Sequence, residues 1–199
     1  MLLVDALPST VEAGGVSLPV CCGFRRNVAA ELVDRDAPGA ASSLLWCLMA
    51  TRGPDGRRSL PEEVAADPAP WLAAALEWHD AAMGAMPYGD PLAPDARAAD
   101  GPRTFDWEAD AALVTADFQR LYGLDLTDPA CQVHWHRFCA LLLAAVRTEG
   151  SLLSAALSAR APLGPGADRH ARAEHRRRAE AWALPPTEDE LRKRAMESF

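Results

Sequence analysis

The chain has 199 residues, 24% of them charged, and a formal net charge of −8. That length can bury a core without disulfides or metals, and an apolar content of 49% argues against both disorder and a membrane-embedded class. The acidic excess argues against a nucleic-acid binder acting through its whole surface, because neutralising phosphates needs a basic footprint.

In chain order, residues 10–20 (TVEAGGVSLPV) alternate apolar and polar on either side of Gly14-Gly15, which can supply the positive φ angles of a two-residue turn. A small β-hairpin is predicted, with Pro19 at a strand end. Two strands are marginal alone, so the hairpin must pack on helices. Phe24, Val28 and Leu32 recur every four residues and predict a helix over 24–34. A second is expected over 40–50, around Leu44, Leu45, Leu48 and Met49. TRGPDGRRS breaks the chain. A short helix is expected to open at Pro61, and WLAAALEWHDAAM to form another beyond Pro68 and Pro70. Residues 84–104 are rich in proline and glycine and read as a linker.

Trp107, Ala111, Val114, Phe118 and Leu121 advance by alternating fours and threes, the stripe of an amphipathic helix. Asp106 is its expected cap, Glu108 and Asp110 complement its dipole, and Gly123 suits its left-handed stop. HWHRFCALLLAAV is apolar around most of its girth and predicts a central helix. SLLSAALSARA, the arginine-rich DRHARAEHRRRAEAWAL and TEDELRKRAMES follow as helices, and Thr187 with Glu190 has capping-box spacing. The predicted organisation is a hairpin with helices (1–83), a linker (84–104), a helical core (105–160) and a C-terminal helical pair (161–199). The predicted fold class is α+β, mainly α-helical, with the hairpin packed on the helical body.

No nucleotide-binding, metallohydrolase or nucleophile-elbow motif occurs in the sequence. Cys131, His134, His136 and Cys139 crowd four candidate ligands into nine residues, but on one helix His136 points away from His134, and no CxxC pair anchors a zinc knuckle. Packing and capping explain these residues better, and neither metal nor cofactor is expected. Cys21 and Cys22 precede a helix, where a reactive thiol can sit, yet small buried hydrophobes are the favoured reading. Five scattered cysteines do not form a secreted disulfide framework. MLLVDALPSTVEAGG lacks the basic start of a signal peptide, and no run reaches the roughly 20 apolar residues of a bilayer span. The expectation is a cytoplasmic protein without membrane contact.

Six tryptophans are many for this length. Trp71 and Trp78, seven apart on one predicted helix face, are candidates for partner contact, with core packing the competing reading. Trp107, Trp135 and Phe138 lie on predicted apolar faces and carry the same two readings. Arg169, Arg172, His175 and Arg176 to Arg178 form the basic cluster, for which a solvated helix face competes with nucleic-acid contact.

Four stretches, LPSTVEAGGVSLPVCCGFR, FDWEADAALVTADFQRLYGLDL, VHWHRFCALLLAAV and RRRAEAWALPPTEDE, together resemble the bacteriophage "gene product 15" family of siphovirus and prophage tail modules. The middle two are the specific part: a helix opening F-D-x-x-x-D-A and closing Y-G-L-D-L, then H-W-x-x-F-x-x-L-L. His136 departs from the pattern, giving H-W-H where another aromatic is expected. The resemblance implies a tail assembly chaperone of the host bacterial cytoplasm, scarce in the mature virion. Its partner would be the tape-measure protein, with other tail proteins and self-association left open. It implies a binding role with no enzyme chemistry. A structural tail or head–tail connector subunit is one alternative, and a regulator binding nucleic acid through the arginine-rich helix is another. Residues 84–130 hold nine acidic side chains and three arginines, a net of −6, and could steer a basic partner.

Overall fold

The computed structural model describes residues 6–84, 103–164 and 166–197. The fold is mainly helical α+β, with small antiparallel hairpins as its only strands among the described residues. The chain divides into two compact units, one of residues 1–90 with 124–144 and one of 91–123 with 145–199. Most of the predicted linker, 85–102, lies outside the described residues.

The first unit opens with β1 (Thr10–Ala13) and β2 (Val16–Pro19), paired antiparallel with Val11 opposite Leu18. Gly14 and Gly15 have φ of +57° and +77°, the primed-turn geometry that matches strand twist. Pro19 pairs with Thr10 at the strand end, where its missing N–H interrupts no ladder. Helix α1 (Phe24–Glu31) follows, then α2 (Ala40–Met49). Leu44, Leu45, Leu48 and Met49 bury one side of α2, so Trp46 points outward and is 45% exposed.

TRGPDGRRS is more than a break. It forms a second hairpin, β3 (Thr51–Arg52) with β4 (Arg58–Ser59). The Asp55 carboxylate accepts from the Arg57 amide at 3.0 Å, Gly53 N–H donates to the Arg57 carbonyl at 2.8 Å, and Gly56 takes φ +75°. The turn chemistry was present in the sequence, but strands of two residues have no alternation to read. Helix α3 (Glu62–Ala66) starts just after Pro61, and α4 runs over Pro68–Gly84. It begins before the predicted Trp71 because Pro68 and Pro70 fall in its first turn, where no intrahelical N–H is needed. The hairpin strand β1 and helices α2 and α3 pack on α4.

Helix α5 (Ala111–Tyr122) belongs to the second unit. It starts later than the sequence implied. The Asp106 carboxylate closes a preceding turn instead, accepting from Glu108 N at 3.0 Å and Ala109 N at 2.8 Å. Trp107 therefore lies ahead of the helix, part-exposed, edge-on to Phe105 at 4.9 Å. Gly123 ends α5 at φ +66°, as its place predicted. Helix α6 (Trp135–Arg147) contributes its residues through Ala144 to the first unit and its last three to the second. Helices α7 (Leu152–Arg160), α8 (Arg169–Ala181) and α9 (Glu188–Glu197) complete the chain, with α7 packed on α5 and α8. The capping box forms reciprocally: Thr187 N donates to the Glu190 carboxylate at 2.8 Å, and Glu190 N to the Thr187 hydroxyl at 3.2 Å.

Candidate functional site

Two of the stretches that carry the family resemblance meet in the first unit. Gly23 and His134 form an isolated antiparallel bridge just ahead of α1 and α6. Phe24 N donates to the Val133 carbonyl at 2.9 Å, and Trp135 N to the Cys22 carbonyl at 2.6 Å. Each helix thus has its first amide, an orphan by helix geometry, satisfied by the segment leading into the other. The residues of GFRRN share out the rest. Phe24 stacks on Phe138 at 5.0 Å. The Arg25 guanidinium donates to the carbonyls of Leu126, Asp128 and Cys131 at 2.8, 2.6 and 2.7 Å. Arg26 Nε donates to the Cys47 carbonyl at 2.9 Å. Asn27, fully buried, donates from Nδ2 to the carbonyls of Cys21 and Gly23.

Trp135 is the centre of a ring column. It stacks on His79 at 4.8 Å and on Phe138 at 5.6 Å, and its Nε1 donates to the His79 carbonyl at 3.0 Å. Trp78 Nε1 and His134 Nε2 both point at the Pro8 carbonyl, at 3.0 and 3.1 Å, and so hold the segment that enters β1. His134 and His136 do not diverge. Their rings lie 5.5 Å apart, both against Trp78, because His134 precedes α6 and the helical spacing rule does not apply to it. His134 Nδ1 accepts from His136 N at 3.2 Å, a cap that assigns its proton to Nε2. His136 Nε2 donates to the Trp78 carbonyl at 3.1 Å.

Burial lowers the pKa of His134 despite its bond to Pro8, and lowers that of His136, with the neighbouring His134 adding to the effect. Protonating His134 would also turn its capping acceptor into a donor facing an amide. Since the unfolded chain binds these protons more readily, the stabilisation is complete above about pH 6.5 and is lost as pH falls below it. We expect the urea midpoint, followed by tryptophan fluorescence, to fall between pH 7 and pH 5. His134→Asn, which keeps a capping acceptor, should flatten part of that fall; a midpoint constant over the range would contradict this account.

The five predicted partner-contact residues are placed as follows. Trp71, Trp78, Trp135 and Phe138 are 4%, 7%, 0% and 2% exposed. They are core, because α4 and α6 turn those faces inward. Trp107 alone is part-exposed. The outward tryptophan is Trp46, which the run LLWCLM places opposite the Leu44-Leu45 and Leu48-Met49 pairs. Among the described residues, no group of three His, Cys, Asp or Glu side chains is arranged to hold a metal. The Cys21 thiol donates to the Ala50 carbonyl at 3.1 Å and the Cys22 thiol to Val20 at 3.3 Å. Burial raises the pKa of Cys22 and Cys47, which disfavours their thiolates.

The second unit buries two carboxylates. Asp117, on α5, accepts from the amides of Leu152 and Leu153 at 3.1 and 2.9 Å and from the Ser151 hydroxyl at 2.7 Å, while Ser151 caps Ser154 N at 3.0 Å. The first turn of α7 is thereby satisfied by another helix. Burial would raise the Asp117 carboxyl, but these bonds and one from Arg120 outweigh it and hold it below its ordinary value. Asp110, read from sequence as a dipole complement, is instead 1% exposed and bound bidentate by Arg160 at 2.7 and 2.8 Å. The same guanidinium donates to the carbonyls of Thr104 at 2.9 Å and Trp182 at 2.6 Å. These are framework contacts. The predicted basic cluster lies on α8, where Arg169, Arg172, Arg176, Arg177 and Arg178 are exposed and His175 turns inward to the Ala161 carbonyl at 2.9 Å. Comparison of the chain with family models, curated proteins and solved structures finds no match in any of the three.

Proposed function

We propose that this chain is a phage tail assembly chaperone, which binds and shields the tape-measure protein during tail assembly in the host cytoplasm and catalyses no reaction. The reading rests on the resemblance to the "gene product 15" family. The observation that carries it furthest is the mutual capping of α1 and α6: GFR and HWHRF, remote in sequence, form one constellation. A motif pair that interlocks in this way specifies a scaffold. The chaperone's contacts would then fall on the outer faces of that scaffold. In the first unit these include Val16, Leu32 and Trp46, at 43%, 49% and 45% exposed. Amphipathic helical segments of the tape measure would lay their apolar faces against these side chains.

Co-expression with a tape-measure protein should yield a soluble complex, and Trp46→Asp should weaken it while leaving the unfolding midpoint unchanged. Failure of two separately folded partners to associate would overturn the proposal. Recovery of the chain from mature particles at the stoichiometry of a tail subunit would overturn it in favour of a structural tail component.

A further inference from the structure

The outer face of α8 is rich in exposed arginine. Arg169, Arg172 and Arg176 recur at i, i+3 and i+7, so they rise along one side of the helix. With Ala167 and Ala173 they line an open concavity of 560 Å³. The two alanines leave its floor low between the guanidinium groups. None of the three arginines has a carboxylate partner among the described residues, although Glu180 follows Arg176 by one turn. The helix N-terminus does not supply the site, because Asp168 already accepts from Ala171 N at 2.7 Å. Nor does the acidic balance of the whole chain reach this segment: residues 168–199 hold eight basic and seven acidic side chains, a net of +1.

We infer that this arginine face is a binding site for phosphate groups, and specifically for the phosphodiester backbone of a nucleic acid. Seven residues of helix separate the first arginine from the last, a rise of about 10.5 Å. Along one strand of a duplex, phosphates recur about every 3.4 Å of axis, so the row spans about three of them. A planar guanidinium binds phosphate oxygens in pairs, and a row of arginines held on one helix is already positioned to do so. Contacts to the phosphodiester backbone carry no sequence information, so the binding expected is indifferent to sequence. It does not depend on the chaperone reading, because it uses other residues and another kind of partner.

The test is fluorescence anisotropy of a labelled duplex of random sequence, titrated with the full chain at several salt concentrations. Three phosphate contacts give a slope of about −2.7 in log K against log salt, or roughly 40-fold weaker binding at 200 mM than at 50 mM. Arg172→Gln should shorten the slope by about 0.9. The triple change of Arg169, Arg172 and Arg176 to Gln should abolish saturable binding. These residues are exposed and glutamine is a good helix former, so an unchanged circular dichroism spectrum and melting temperature should accompany the loss. Absence of saturable binding at 50 mM salt would overturn the proposal, as would a slope that the substitutions leave unmoved. Tighter binding of poly-glutamate than of DNA at the same salt would assign the face to an acidic protein surface, and would overturn it too.

Discussion

Arg160→Met should destabilise the second unit by about 3–5 kcal/mol, the range seen when one partner of a buried ion pair is removed. The pair is buried on both sides, with side-chain exposures of 8% for Arg160 and 1% for Asp110. Removing the guanidinium leaves an unpaired carboxylate in the interior, and also orphans the Thr104 and Trp182 carbonyls that it serves. Those two carbonyls lie ahead of the Asp106 turn that leads into α5 and at the end of α8, while Arg160 is the last residue of α7. One side chain thus holds three segments together, and its loss should be felt across the unit. Replacing both members, Asp110→Leu with Arg160→Met, removes the buried charge as well as its partner and should recover a large part of the loss. Denaturant unfolding of the single and double variants measures both terms. A single-variant loss under about 1 kcal/mol would mean that water already solvates the pair.

This pair also marks where sequence reading stopped. Gly14-Gly15, Gly123 and the Thr187–Glu190 box were legible because each is a local device, its chemistry complete within a few residues. Asp110 has a local explanation as well, at the start of α5, but its real partner stands fifty positions away. Arg25 and Asn27 were not legible at all. Each binds backbone carbonyls, which every residue type offers, so nothing in the sequence of the partner segment signals the contact. The histidines failed for a related reason. The angle between residues two apart is fixed inside a helix, and a bridge residue just outside it is free of that rule. Spacing placed Trp71 and Trp78 on one face correctly, but spacing cannot say what covers a face.

That last ambiguity has a direct experimental form in Trp135. If this side chain met a partner, Trp135→Ala would impair binding and leave the protein folded. Its position predicts the reverse. Trp135 has no exposed surface, sits between His79 and Phe138, and donates to the His79 carbonyl. Truncation to alanine should cost about 3–5 kcal/mol, since the cavity adds to the lost transfer energy. Trp135→Phe separates the two contributions. It keeps an aromatic ring in the column and leaves the His79 carbonyl without its donor, for which about 1–3 kcal/mol is expected. Trp46→Ala, the outward-facing control, should stay within about 0.5 kcal/mol. Chemical denaturation of the three variants gives the order Trp135→Ala, Trp135→Phe, Trp46→Ala in decreasing loss. If Trp135→Ala instead proved as stable as Trp46→Ala, the column would not be what joins α4 to α6, and the expectation of partner contact at Trp135 would return.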